Sequence, residues 1–458
     1  MCTSQPPMQL TLPFLDTLRG HAPTVVGERV EVPMATHRPE TPVATMSLME
    51  EVCQRANLQR AYRCVVANQG SPGVDGMRVD QLGPYLTEQW PTIRDQLLAG
   101  TYHPKPVKRV MIPKPGGGER TLGIPTVLDR FLQHALLQVL QPVWDPTFSP
   151  HSYGFRPGRS AHQAVAQAQQ YIAQGYRWVV DIDLEKFFDR VNQDQLMGQI
   201  AKRVQDKRVL TLIRAFLDAG VLTGGLVEPT VQGVPQGGPL SPLLSNLVLD
   251  ALDRELERRG HQFVRYADDC NVYVRSARAG QRVLASLNRF VTRRLKLRIN
   301  AQKSAVARPS QRAFLGFSFT GGPTPKRRLA PETLQRLKER VRDLTRRSRG
   351  VSFERMAQEV GRYLRGWQAY FGFCQTPSLF PPLNRWIRQR LRAAAWLQWR
   401  RGRRRFAELC KRGVPRWQAR RVAGIQRSVW RACSLPQMYM ALPETGWQTL
   451  GVPILATW

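Results

Sequence analysis

Between Phe263 and Val274 two short apolar runs flank an adjacent pair of acids, a pattern that few local folds accommodate. Val264 and Tyr266 precede Asp268-Asp269, and Val272 and Val274 follow. Successive strand residues point to opposite faces. The spacing therefore predicts two short strands with both carboxylates where the hairpin turns. Adjacent carboxylates repel and raise one another's pKa unless a cation neutralises them. Asp-Asp is also ordinary turn chemistry, because Asp tolerates φ > 0 and bonds its own backbone. By itself the pair does not define a site.

A second acidic strand end lies upstream. Over Trp178–Asp183, alternation puts Asp181 and Asp183 on one side and Trp178, Val180 and Ile182 on the other. Three carboxylates from two strands can hold two divalent cations roughly 3.5–4 Å apart, an arrangement that stabilises the entering and leaving oxygens of phosphoryl transfer. The local pattern thus reaches a metal-dependent nucleotidyl transferase and goes no further.

Charge agrees with a polyanionic partner. The 458 residues carry 68 Lys+Arg against 34 Asp+Glu, a net of +34. Such a surface attracts nucleic acid over long range, although charge alone also suits any basic protein. No apolar run approaches the roughly 20 residues of a membrane span, and the N-terminus lacks the layout of a signal peptide. The seven cysteines are scattered and form no C-x-x-C pair. Reduced thiols in a cytoplasmic setting are the expectation.

Residues 1–45 carry several prolines and little periodicity, and are expected to form a poorly ordered extension. Leu48–Asn68 has the spacing of an amphipathic helix. Arg109–Ile112 and Glu119–Leu122 read as strands around a Pro/Gly turn. Thr126 with Asp129, and Asn192 with Gln195, are capping pairs, the second opening a helix through Val204. Strands interleaved with helices continue to about Phe319. From Lys326 to Arg431 there are 29 Lys/Arg against 6 Asp/Glu, a net of +23, in a helical pattern with Trp367, Tyr370, Phe371, Trp386, Trp396 and Trp399 among the arginines.

Tyr266-Ala267-Asp268-Asp269 resembles the Y-x-D-D box of reverse transcriptases. Further blocks resemble that family in its order. They are Ser71–Gly76, Ile112–Pro115 with Arg120–Pro125, His151–Ser160, Asp183–Asp189, Gly233–Pro242, and Phe314–Phe317 as the closing strand of the palm. Arg365–Phe371 and Trp386–Leu391 resemble the thumb, or maturase domain. The family is identified as the bacterial group II intron-encoded reverse transcriptase/maturases. The resemblance implies an α+β right-hand fold. Fingers and palm with antiparallel sheet would span 46–320, an α-helical thumb (domain X) 326–400, and a basic nucleic-acid-binding segment 401–458. An H-N-H endonuclease is not expected.

The resemblance further implies that Asp183, Asp268 and Asp269 are the catalytic ligands of two Mg²⁺ ions. Lys114 and Arg120 would hold the triphosphate of a dNTP. Phe188 would exclude a 2′-hydroxyl by clash, Gln236 would lie beside the incoming nucleotide, and Lys303 would protonate pyrophosphate. Arg365, Trp367, Arg388 and Arg390 would bind RNA. Expected partners are an RNA template, in particular group II intron RNA, a DNA primer or target, and dNTPs. Two other readings stay open at this stage: an intron-like host enzyme recruited to DNA repair, defence or CRISPR spacer acquisition, and a non-catalytic splicing cofactor.

Overall fold

The computed structural model describes residues 47–457, apart from 114–117, 224–225, 229, 231 and 426–427. The expectations for residues 1–45 and for Lys114 lie outside the described residues. The described strands, in chain order, are β1 (Val107–Pro113), β2 (Glu119–Ile124), β3 (Trp178–Ile182), β4 (Val221–Thr223), β5 (Leu226–Glu228), β6 (Gln262–Tyr266), β7 (Asp269–Val274), β8 (Ala305–Ala307), β9 (Phe317–Phe319) and β10 (Arg327–Leu329). They form two four-stranded sheets, ordered β2-β1-β4-β5 and β6-β7-β3-β8, and a two-stranded sheet of β9 and β10. The chain divides into two compact units that interleave in sequence. The first takes 1–160, 180–272 and 281–305, and the second 161–179, 273–280 and 306–458. The composition change near residue 320 falls inside the second unit.

In the first unit β1 and β2 form the expected hairpin, pairing antiparallel from Lys108–Ile124 to Pro113–Glu119. The sheet is nevertheless mixed, because β1 also pairs parallel with β4. The helix expected over Leu48–Asn68 is two helices, Leu48–Val52 and Arg55–Asn68. Asn57 explains the break, since its side-chain amide donates to Val52 O at 3.0 Å and takes over a carbonyl that a continuous helix would use. Leu58, Ala61 and Val65 then bury one stripe against the helix Val127–Trp144, whose Phe131, Leu132 and Leu136 are fully enclosed. Burial of each large side chain stabilises by about 1.5–3 kcal/mol. Both capping pairs form: Thr126 accepts from Asp129 N at 3.0 Å, and Asn192 from Gln195 N at 2.8 Å. The second helix stops at Ala201, short of Val204.

The second unit is mainly helical. Helices Pro331–Leu344, Phe353–Phe371 and Phe380–Gln398 bury Leu337 and Val341, Val360 and Leu364, and Ile387 and Leu391, at the spacing of one helix face. Phe314-Leu315-Gly316-Phe317, expected as a strand, is a tight turn leading into β9. Leu315 and Gly316 take φ of +52° and +82°, and Phe314 and Phe317 exchange backbone bonds of 2.8 and 3.0 Å. Glycine is needed there, because a Cβ at 316 would meet the Phe371 ring at 2.9 Å. No helix among the described residues is long and apolar enough to cross a membrane.

Candidate active site and nucleic-acid interface

The acidic turn is built as the alternation predicts. β6 ends at Tyr266, β7 begins at Asp269, and Ala267-Asp268 connects them. Ala267 has φ +56°, a left-handed conformation that a residue with a Cβ adopts only when its surroundings enforce it. Arg265 supplies that enforcement. It is wholly buried, and its Nη1 donates to Ala267 O at 2.9 Å and to Asn246 Oδ1 at 3.0 Å. Its Nη2 donates to Ser152 Oγ at 2.8 Å, and Asp253 takes two charged bonds of 2.7 and 2.6 Å.

Burial pushes the Asp253 carboxyl up and would by itself push Arg265 down. The two-pronged contact outweighs burial at Arg265, and because a guanidinium does not release its proton in proteins, the pair is ionised.

The block His151–Ser160 clamps the same turn from outside. Tyr153 N donates to Arg265 O, and Arg265 N to His151 O, each at 2.9 Å. Asn246 Nδ2 donates to Gly154 O at 2.9 Å. Gly154 packs so tightly that a Cβ would lie 2.9 Å from Tyr266 C and closer still to Ala267 N. Phe155, beside it, has φ +58°, and its ring is 48% exposed and 6.4 Å from that of Tyr266.

Asp183 sits just past β3, on a strand end held by the segment 298–304. Asp183 N donates to Ser304 Oγ at 3.0 Å, Asn300 N to Asp183 O at 2.8 Å, and Glu185 N to Arg298 O at 2.8 Å. Lys303 Nζ lies 3.6 Å from Asp183 Oδ2. Two of the three acids are shifted upward. Burial, followed by the charge of Asp183, raises Asp268, while Arg120 opposes the rise. Asp269 is exposed by surface area yet set among densely packed atoms. That crowding, then the charges of Asp268, Asp181 and Asp183, push its carboxyl up to about 7. Among the described residues, no three His, Cys, Asp or Glu side chains are drawn into one metal cage. The donor chemistry nevertheless fits a divalent cation: hard oxygen ligands whose mutual repulsion a positive ion would relieve.

The residues expected to face a nucleotide gather in the same unit. Gln236 Oε1 accepts from Arg120 Nε at 3.2 Å, and Gln236 O accepts from Gly123 N at 2.8 Å, tying β2 to the 233–242 block. Phe188 and Gln236 line one cavity of about 120 Å³. Phe187 is buried and Phe188 half-exposed, so of the two rings the second faces that cavity. Gly233, at φ +95°, lies where a Cβ would meet Phe188 O at 2.7 Å.

The four residues expected to bind RNA lie in the second unit and are engaged within it. Trp367 is 7% exposed and packs on Phe371 with ring centroids 5.0 Å apart, so it is a core side chain and not a platform for bases. Arg388 forms an ion pair with Glu444, Arg390 donates to Thr345 Oγ1 at 3.0 Å, and exposed Arg365 donates to Gly451 O at 2.7 Å. Trp396 and Trp399 are buried too. Among the described residues, the exposed large rings of this unit are Trp417 (63%) and Trp430 (43%), with Tyr439 at 39%. Sequence reasoning missed Arg265 and Asp253, although an arginine inside an otherwise apolar strand is a usable signal, because such a charge is buried only when paired.

Set beside known proteins, residues 112–319 match the reverse transcriptase (RNA-dependent DNA polymerase) family and residues 334–413 the group II intron maturase-specific domain. Protein YkfC of Escherichia coli (strain K12) is 33% identical over 314 residues, 60% of this chain and 81% of that protein. Group II intron-encoded protein LtrA of Lactococcus lactis subsp. cremoris is 29% identical over 325 residues, 57% of this chain and 54% of that protein. This chain therefore matches only about half the length of LtrA. A solved structure of a partial Cas6-RT-Cas1–Cas2 complex is 27% identical, covering 54% of this chain and 42% of that one, with a TM-score of 0.35. The chain belongs to the reverse transcriptases, the RNA-dependent DNA polymerases, and carries the maturase-specific domain of the group II intron branch.

Proposed function

We propose that the chain copies RNA into DNA at Asp183, Asp268 and Asp269, which hold two Mg²⁺ ions, and that its second unit binds group II intron RNA to assist splicing and mobility. The observation that carries the catalytic part is the upward shift at Asp268 and Asp269, from burial first and then from the charge of Asp183 beside both, inside a chain of net charge +34. An acidic focus in so basic a protein favours cations that the rest of the surface repels.

Bound divalent ions would supply charge stabilisation for an in-line displacement at the α-phosphate of a dNTP. The chain's own groups do the rest. Arg120 and Lys114 hold the triphosphate, with charge-assisted bonds on its oxygens. Gln236, already bonded to Arg120, seats the nucleotide against the 233–242 block. Phe188 presents its ring to C2′ of the sugar and rejects a 2′-hydroxyl by clash. Lys303 gives a proton to the departing pyrophosphate, a reading supported by its nearness to Asp183. The exposed Phe155 ring, locked beside Tyr266, offers the primer terminus a stacking surface. Fixing reactants in this way supplies much of the rate.

Extension of an oligo(dT) primer on poly(rA) with Mg²⁺ tests the reading. The chain should incorporate dTTP and Asp268→Ala should not. Equal activity in both would end the assignment of these carboxylates.

A further inference from the structure

In the second unit the segment 442–457 lies along the helix Phe380–Gln398 and leaves an open cleft of about 750 Å³ between them. That volume is in the range of small-molecule sites. Arg385, Arg388 and Arg392 all line it, at positions i, i+3 and i+7 of one helix face. Arg392 forms the floor at 1% exposure, Arg388 is half-buried, and Arg385 stands exposed at the mouth. Glu444 is the one acid in the lining. It pairs with Arg388 and accepts from Arg392 Nη2 at 3.3 Å. Three cations against one anion leave the cleft at +2. Like charges three and four residues apart on a helix are destabilising, and a bridge serving only the fold would need one arginine. Arg392 Nε is buried with no hydrogen-bond partner.

Part of the lining is apolar, beside the polar Asn384, Thr445 and Gln448. The Arg392 guanidinium lies 3.9 Å from the centre of the Tyr439 ring, and Phe380 and the 47% exposed Ile454 line the same space. A cationic floor with an aromatic wall fits a planar, amphipathic anion. Arginine forks match phosphate oxygens, and rings stack on unpaired bases.

We propose that this cleft takes one unpaired nucleotide of bound RNA, its phosphate on Arg385 and Arg388 and its base against Tyr439 and Ile454, with Glu444 occupying the phosphate position until RNA arrives. The proposal rests on the RNA-binding reading of this unit. It adds a discrete subsite and an internal competitor for it. The competitor gives the inference its sign: removing the carboxylate charge should strengthen binding, whereas removing a cation should weaken it.

The test uses the full chain in EDTA, which keeps the acidic site of the first unit from accepting a phosphate. 5′-AMP and inorganic phosphate are titrated by calorimetry, and a single-stranded RNA by filter binding at fixed salt. Glu444→Gln should tighten AMP and RNA by about three- to tenfold, and Arg385→Ala should loosen both by a similar factor. Arg385 is exposed, so its replacement leaves the fold intact, and melting curves verify this for both variants. AMP should bind more tightly than phosphate. Unchanged affinity in both variants would overturn the proposal. So would phosphate binding as well as AMP, or a Glu444→Gln protein that melts early and binds more weakly, which would make Glu444 a brace alone. Extension at saturating poly(rA)/oligo(dT) should stay at wild-type rate in both variants. A loss there would speak to the polymerase reading, not to the cleft.

Discussion

Replacing Arg265 with Met removes the group that holds the turn of the proposed catalytic carboxylates, and the structure lets the effects on stability and on rate be separated. The single variant leaves Asp253 wholly buried with no counter-charge. Breaking a buried pair in this way costs about 3–5 kcal/mol, a large share of the roughly 5–15 kcal/mol that holds a domain folded. Low activity in Arg265→Met would therefore be ambiguous. The double variant Arg265→Met/Asp253→Leu resolves this, because apolar residues of similar volume in place of a buried pair are often neutral or stabilising. What the double variant still lacks is the charged donor to Ser152 Oγ, Asn246 Oδ1 and Ala267 O, at about 1.5–3 kcal/mol for each bond from a charged group. Removing the unpaired Asp253 carboxylate should still make it more stable than Arg265→Met, though less stable than wild type.

The rate should not recover. Ala267 then keeps its left-handed φ with one support fewer, and Asp268, the next residue, drifts. A displacement on the order of 1 Å at a reacting centre is worth about 10²-fold, so kcat for single-nucleotide addition should drop about 10- to 100-fold. Denaturant unfolding and single-turnover extension, run on the same preparations, read the two quantities. A double variant that regains stability and also extends primers within about twofold of wild type would refute the positioning role.

Gly154→Ala should be damaging, because the new Cβ meets backbone atoms of Tyr266 and Ala267 that have no freedom to yield. A loss of about 1–3 kcal/mol in denaturant unfolding is expected, together with slower extension. Phe188→Val should raise ribonucleotide incorporation relative to deoxyribonucleotide by about tenfold or more in competition assays, with dNTP incorporation retained. In EDTA, Asp269 gives stability a defined slope with pH. Its folded pKa, about 7, exceeds the ordinary carboxylate value near 4, so between those limits the folded chain binds the extra proton. Its contribution is therefore fully present below about pH 4 and is lost as pH rises through about 7. Melting temperature in EDTA should fall across that window more steeply in wild type than in Asp269→Asn. Mg²⁺ should flatten the wild-type slope by favouring the ionised carboxylate. Parallel slopes in the two proteins would contradict the assignment.

What could be read from the residues follows the range of the interactions involved. Strand alternation is local, so the Asp268-Asp269 turn and an acidic strand end at Asp181 and Asp183 were legible from a few neighbours each, whereas the choice of Asp183 came from the resemblance. The resemblance assigns the gate to Phe188, and Phe188 is the ring of the pair that lines the cavity shared with Gln236. Arg265 was harder. The same alternation puts it on the face of Phe263, but its partners are Asp253, twelve residues back on a helix, and Ser152, 113 residues away. No local window contains that network.

The basic region misled for a different reason. Arginines interleaved with aromatics describe a composition, whereas binding depends on which face of each helix is covered. Trp367 shares a stripe with Leu364 and Phe371 and is buried with the former, and Arg388 is half-buried because the segment 442–457, more than fifty residues later, lies along its helix. Among the described residues of this unit the large rings left to solvent, Trp417, Trp430 and Tyr439, lie in the 401–458 segment expected to bind nucleic acid and outside the Arg365–Phe371 and Trp386–Leu391 blocks. For the same reason the charge surplus has to be divided before it is interpreted. Arginines such as Arg390 and Arg392 direct donors into the fold, whereas exposed ones such as Arg385 are freely available to a polyanion.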